Sequence, residues 1–217
     1  MSFEALPQRL AQVRAELGGG LTIVAVTKGF GPDAVRAAVA AGLADIGENR
    51  VQEAVQKQDA LPELTGIRWH LIGHLQRNKA RLVPGRFEMV HSVDSLELAN
   101  ELDKRAAGLR VLLQVNVAHE SQKSGCAPEE ARTLARQIAA LGNLRLEGLM
   151  TLAPFTDDVE VQRRTFRGLR LLRDTIKEEE GLWLPTLSMG MSGDYATAVA
   201  EGATVIRLGT VLFGPRT

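Results

Sequence analysis

Eight short runs of apolar and β-branched residues, separated by amphipathic helical segments and distributed along the whole chain, constrain this sequence more than any other feature. The runs fall near residues 21–27, 43–47, 67–72, 87–91, 109–117, 144–151, 184–189 and 203–208, after an opening helix at about 3–17 and a Gly18-Gly19-Gly20 break. The helical signals between them have ordinary physical causes. Pro128 with Glu129 and Glu130 opens one helix, Ala131, Leu134, Ile138 and Leu141 give it an apolar stripe, and Gly142 closes it. Ser95 and Gly108 bracket another, and a third carries Phe166, Leu169, Leu172 and Ile176 behind Asp157 and Asp158. Strands alternating with helices predict a parallel sheet, and eight such units in one domain predict a closed (β/α)8 barrel over 1–217 with an extra N-terminal helix. An open doubly wound sheet is the alternative.

Composition narrows the function classes. With 45% hydrophobic residues the 217-residue chain can furnish a full core, which argues against disorder. Lys plus Arg and Asp plus Glu number 26 each, so no overall basic field exists to hold nucleic acid or an anionic membrane, and a small partner is expected. A single cysteine, Cys126, excludes an internal disulfide and fits a reducing compartment. Met1 to Pro7 lacks a charged-then-apolar signal and no stretch reaches membrane-spanning length, so the expected location is the cytoplasm.

Lys28 is the residue that most needs a reason. It ends the apolar run Leu21 to Thr27, where an α/β fold presents its ligand face. Desolvation favours the neutral amine, and a neutral amine can attack an aldehyde or ketone to form a Schiff base; the alternative is a lysine reaching into solvent. Barrel closure would place this strand beside residues 203–209. There Val205 and Arg207 share a face, and a guanidinium pointing inward needs either a ligand or a carboxylate such as Glu48. Ser192, in the loop after the seventh strand, stands near a helix amino terminus, and Gly209-Thr210 follow the eighth. N–H groups, hydroxyls and close glycine backbone at one barrel mouth suit a phosphate, although Ser192 alone reads equally well as an N-cap and Gly209 as a turn glycine.

The segments Ala25-Val26-Thr27-Lys28, Gly47 to Glu53, Trp69 to Lys79, Lys123-Ser124-Gly125, Gly148-Leu149-Met150, Leu187 to Ser192 and Arg207 to Thr210 resemble, in order and over nearly the whole chain, the YggS/PROSC family of pyridoxal-phosphate homeostasis proteins. The resemblance implies a barrel like the amino-terminal domain of alanine racemase, binding pyridoxal 5′-phosphate (PLP). It implies Lys28 as the aldimine lysine, Asn49 beside the cofactor ring, Met191 and Ser192 as the phosphate-loop pair, Gly209 and Thr210 as the second phosphate contact, and Arg207 facing the pyridine nitrogen. Gly29-Phe30-Gly31 departs from the more polar segment of many relatives and bears on the shape of the cofactor's entrance.

Other groupings carry less. His70 and His74 straddle a strand end rather than sharing a helical face, which disfavours a metal site and suggests a barrel-rim role for His70. The basic run 76–81 lacks aromatics and reads as a solvated helix face; Lys123 is a surface lysine on the functional side. Cys126 has no evident base and is not expected to be a nucleophile. The expected function is a non-catalytic PLP carrier in homeostasis, with amino acids and apo-PLP enzymes as candidate partners. The alternative is a PLP-dependent amino-acid racemase, which needs a second acid/base on the opposite cofactor face; Tyr195 is the only tyrosine, and no β-domain follows the eighth unit before Thr217. A Schiff-base aldolase would explain the lysine and phosphate loops but not the motifs.

Overall fold

The computed structural model describes residues 3–17, 19–120 and 122–215; Met1, Ser2, Gly18 of the glycine break and Thr217 lie outside them. Eight strands form where the apolar runs predict them: β1 (Thr22–Val26), β2 (Asp45–Glu48), β3 (Arg68–Leu71), β4 (Met89–Val93), β5 (Leu109–Gln114), β6 (Leu144–Met150), β7 (Thr186–Ser188) and β8 (Val205–Leu208). All neighbours are parallel and the sheet closes in chain order. The closing pair is well formed, with Thr22 opposite Val205, Val24 opposite Arg207 and Ala25 opposite Leu208, which removes the open-sheet alternative. Most predicted runs extend a few residues past the strand at one or both ends, whereas β2 and β4 continue one and two residues beyond their predicted ends.

The helices α1 (Leu6–Leu17), α2 (Pro32–Ala40), α3 (Val51–Asp59), α4 (Leu96–Asp103), α5 (Pro128–Ala139), α6 (Val159–Glu180), α7 (Tyr195–Ala200) and α8 (Thr210–Phe213) surround the barrel. Their ends follow capping chemistry. The Ser95 hydroxyl accepts from the Leu98 N–H at the start of α4, and the Asp158 carboxylate accepts from the Glu160 and Val161 N–H groups at the start of α6. Between β3 and β4 the chain makes only a 3₁₀ segment, Arg77–Leu82, so the basic run is not an α-helical face; Arg77, Asn78 and Arg81 are nonetheless exposed.

Two apolar compartments result from the period-2 alternation of the strands. Ala25, Ile46, Leu71, Val90 and Leu113 point outward to the helices and form the large core, while Met89, Leu112 and Met150 make a separate cluster. The N-terminal helix completes the outer layer where α8 is only a single turn. Buried at Leu6, Leu10 and Val13, α1 packs against both α7 and α8. Phe30 anchors this corner, its ring 5.7 Å from Phe3 and 5.5 Å from Phe213. The departure at Gly29-Phe30-Gly31 is thus a packing contact to the segment leading into α1 and to α8. No helix among the described residues is long and apolar enough to cross a membrane.

Candidate functional site

The residues singled out in the sequence gather at the carboxyl ends of β7, β8, β1 and β2, four consecutive staves of the closed barrel. Lys28 lies two residues beyond β1, half-buried, and Asn49 lies one residue beyond β2. Met191 and Ser192 follow β7, Arg207 is within β8, Gly209 follows it, and Thr210 opens α8.

The base of Lys28 is fixed by a buried ion pair that the sequence pattern does not announce. Lys57, on α3, donates to the Glu48 carboxylate at 2.5 Å and to the Thr27 carbonyl at 2.7 Å, and the Thr27 hydroxyl also donates to Glu48. Glu48 is fully buried and burial pushes its carboxyl up, opposed by the hydrogen bonds from Lys57 and Thr27. The residue before Lys28 is therefore tied to β2 and α3 together. Asn49 is held as tightly: a Cβ on Gly73 would sit 2.3 Å from the Asn49 carbonyl oxygen, so only glycine lets the two loops meet.

Across the arc, Ser192 does not cap α7, whose N-cap is Asp194. Its hydroxyl instead accepts from the Gly209 N–H at 3.2 Å and the Val211 N–H at 3.3 Å, the amino end of α8, so the two loops share one donor nest. Asp194 holds the Met191 N–H at 2.5 Å; burial pushes its carboxyl up. Gly190 adopts φ 94°, and a Cβ there would lie 2.7 Å from Ala198, so the turn from β7 into this loop requires glycine.

Arg207 is 3% exposed and its inward direction follows the strand alternation. It donates to the Ser188 hydroxyl at 2.6 Å and the Thr151 carbonyl at 2.9 Å. Both acceptors are neutral. Burial lowers the guanidinium to about 10, opposed only by the charge of Asp194, and Glu48 is committed to Lys57 rather than to Arg207. A buried cation without a carboxylate, beside two backbone N–H donors joined only through one hydroxyl, is a donor set suited to a phosphate and a ring nitrogen, so these side chains fit PLP. Ser188 and Thr151 were missed in the sequence because strand-end polar residues give no periodic signal.

The remaining candidates fall elsewhere. His70 is not on the rim: it is 4% exposed, inside the barrel, while His74 is exposed and 3.7 Å from Asp94. Among the described residues no group of histidine, cysteine and carboxylate side chains can hold a metal. Tyr195 donates its hydroxyl to Glu16 on α1 at 2.6 Å, and burial followed by that carboxylate raises its phenol to about 12. Cys126 is buried, its thiol pushed up to about 12 mainly by desolvation, and hence protonated. Lys123 donates to the Ala153 carbonyl at 2.7 Å and pairs with Glu120. A cleft of about 570 Å³ opens at the opposite end of the barrel, beside Leu61, Leu64, Trp69 and Pro84, remote from every residue of the arc.

Comparison with known proteins agrees with this fold. The family model described as alanine racemase, N-terminal domain, matches residues 1–217. A pyridoxal phosphate homeostasis protein of Pseudomonas aeruginosa is 49% identical over 199 residues, covering 89% of this chain and 84% of that protein. The structure of PipY from Synechococcus elongatus with PLP bound has a TM-score of 0.90 at 39% identity, covering 96% of this chain and all of that one (100%). Alanine racemase from Corynebacterium glutamicum shares the fold, with a TM-score of 0.80 at 16% identity over 99% of this chain and 61% of its own.

Proposed function

The chain belongs to the pyridoxal phosphate homeostasis protein family, and on that premise we propose that it is a cytoplasmic PLP holder, one barrel domain over 1–217, that keeps the cofactor on Lys28 as a Schiff base without turnover of its own. The observation that carries this reading is the convergence on one barrel mouth of Lys28, a buried arginine with only neutral partners, and the Ser192–Gly209–Val211 nest. PLP supplies an aldehyde that condenses with amines and, where its ring nitrogen is protonated, an electron sink. Thr27, tied through Glu48 and Lys57, keeps the Lys28 backbone in place. Ser192, Thr210 and the Gly209 and Val211 N–H groups would hold the phosphate, with Met191 bordering that loop and Asn49 beside the ring. Arg207, a donor-only group, would face the ring nitrogen and favour its unprotonated form.

Such a holder exchanges its cofactor with amino acids and with apo forms of PLP enzymes. Arginine at the ring nitrogen does not by itself exclude catalysis, because alanine racemase makes the same choice. The case for a carrier rests on Tyr195: its hydroxyl is engaged by Glu16 on the outer helix layer, which supports the absence of an opposite-face base. The test is deuterium exchange at the α-carbon of alanine by the PLP-loaded protein. Absence of exchange at enzyme-like rates is expected; steady exchange would establish the racemase instead.

A further inference from the structure

Five side chains from five strands form an unbroken hydrogen-bonded line through the barrel. At the amino-terminal end Arg68 makes a two-pronged contact with Asp45, at 2.7 and 2.6 Å. Asp45 Oδ1 is 3.0 Å from His70 Nε2, His70 Nδ1 is 2.9 Å from His91 Nε2, and His91 Nδ1 is 2.9 Å from the Ser188 hydroxyl, which accepts from Arg207. His91 on β4 and Ser188 on β7 are not on neighbouring strands, so their contact has to cross the lumen. The line therefore joins the amino-terminal end of the barrel to the arginine at its mouth.

The two ends dictate the direction of every bond. An arginine only donates, and an ionised carboxylate only accepts. Four bonds link Arg207 to Asp45, and four hydrogens are available if both imidazoles are neutral: one from Arg207, the Ser188 O–H, the His91 Nε2–H and the His70 Nε2–H. One tautomer assignment satisfies all of them. A proton added to either ring would reverse the bond at Ser188, making its oxygen accept from both Arg207 and His91 and leaving its own hydrogen outside the line. The environment opposes that proton: burial keeps His91 well below the usual imidazole value, reinforced by the charges of Arg207 and Arg110. Arg110 is itself neutralised by Glu88 and Glu147, and Asp45 stays ionised because the hydrogen bonds from His70 and Arg68 outweigh the effect of its burial.

We propose that Asp45, His70, His91 and Ser188 are positioning residues for Arg207, a one-directional hydrogen-bond line that fixes the arginine's orientation and so sets the environment of the cofactor's ring nitrogen from the far end of the barrel. This rests on the PLP reading above, but half of it is testable without PLP. In the unliganded protein, ¹⁵N NMR of the four histidines should find His70 and His91 protonated at Nε2, with His91 neutral across about pH 5 to 8, the span in which an ordinary histidine titrates. An Nδ1–H ring at either position, or titration of His91 in that span, overturns the line.

The second arm uses PLP labelled with ¹⁵N in its ring, bound to wild type, Ser188→Ala, Asp45→Asn and, as a control off the line, His74→Asn. Ser188→Ala should move the ring-nitrogen signal and weaken PLP by about tenfold, the size of one hydrogen bond to a charged group. Asp45→Asn should move the signal in the same direction with a smaller loss, and His74→Asn should leave it in place. An unchanged ring signal in folded Ser188→Ala overturns the proposal, whether or not Asp45→Asn folds. Loading of Lys28 with a signal indifferent to Ser188 sinks this inference alone, whereas failure of wild type to load PLP sinks the functional reading and leaves the tautomer result standing.

Discussion

Lys57 and Arg207 are both buried cations, 8% and 3% exposed, but the protein neutralises them in opposite ways. Lys57, between the barrel wall and α3, has the Glu48 carboxylate at 2.5 Å and a backbone carbonyl at 2.7 Å. Arg207, inside the barrel, has a hydroxyl and a carbonyl, and its hydrogen-bonded route to a carboxylate runs through Ser188 and two histidines to Asp45. The paired cation is closed off, and its value lies in holding the segment that carries Lys28. The neutrally held cation has donors that can serve a ligand. Burial alone does not distinguish a structural charge from a functional one; the identity of the acceptor does.

The largest effect is expected where the pair is broken. Lys57→Met leaves Glu48 buried without a cation and should cost about 3–5 kcal/mol of stability in a urea melt, the usual range for removing one member of a buried pair. Replacing Lys57 and Glu48 together by apolar residues should restore much of it. A loss under about 1 kcal/mol for Lys57→Met would erase the contrast between the two cations. On the ligand side, Ser192→Ala or Thr210→Ala should each weaken PLP by about 1.5–3 kcal/mol in a binding titration, the range for hydrogen bonds to charged groups. Pyridoxal, lacking the phosphate, should bind far more weakly; equal affinity of the two vitamers would assign these loops another purpose.

A smaller effect separates the carboxylates of the two regions. Asp45 is lowered from 3.8 to about 2 in the folded protein, because the hydrogen bonds from His70 and Arg68 overcome its desolvation. A depressed acid stabilises above its unfolded pKa and loses that contribution as pH falls through its folded value. The window is about pH 4 down to 2 and the amount about 2 kcal/mol. Denaturation curves across that window should flatten in Asp45→Asn relative to wild type; identical curves would mean that Asp45 is not held as described.

The barrel was legible because its eight strands are buried on both faces and so read as short apolar runs between helices with recognisable ends at Ser95, Pro128 and Asp158. Of the seven expected site residues, Lys28, Ser192, Arg207, Gly209 and Thr210 were legible as types at or near strand ends, and Asn49 and Met191 through the family resemblance; all seven lie on one arc of the mouth. What was not legible is polar and long-range. Asp45, His70 and His91 occupy inward positions on successive strands, where each alone looks like an exception to an apolar run, and only closure brings Ser188 from β7 to His91 on β4. For that reason His70 read as a rim residue. Lys57 gave no signal at all, because nothing local pairs it with Glu48, nine residues earlier on a different element.

The central claim is the covalent one, and borohydride reduction followed by peptide mass mapping tests it most directly. The PLP-loaded protein should lose its visible absorbance band on reduction and gain the mass of the reduced cofactor on the peptide containing Lys28, while folded Lys28→Ala should show neither the band nor the added mass. An unchanged band in Lys28→Ala, or label carried by another lysine such as Lys123 in the wild type, would contradict it.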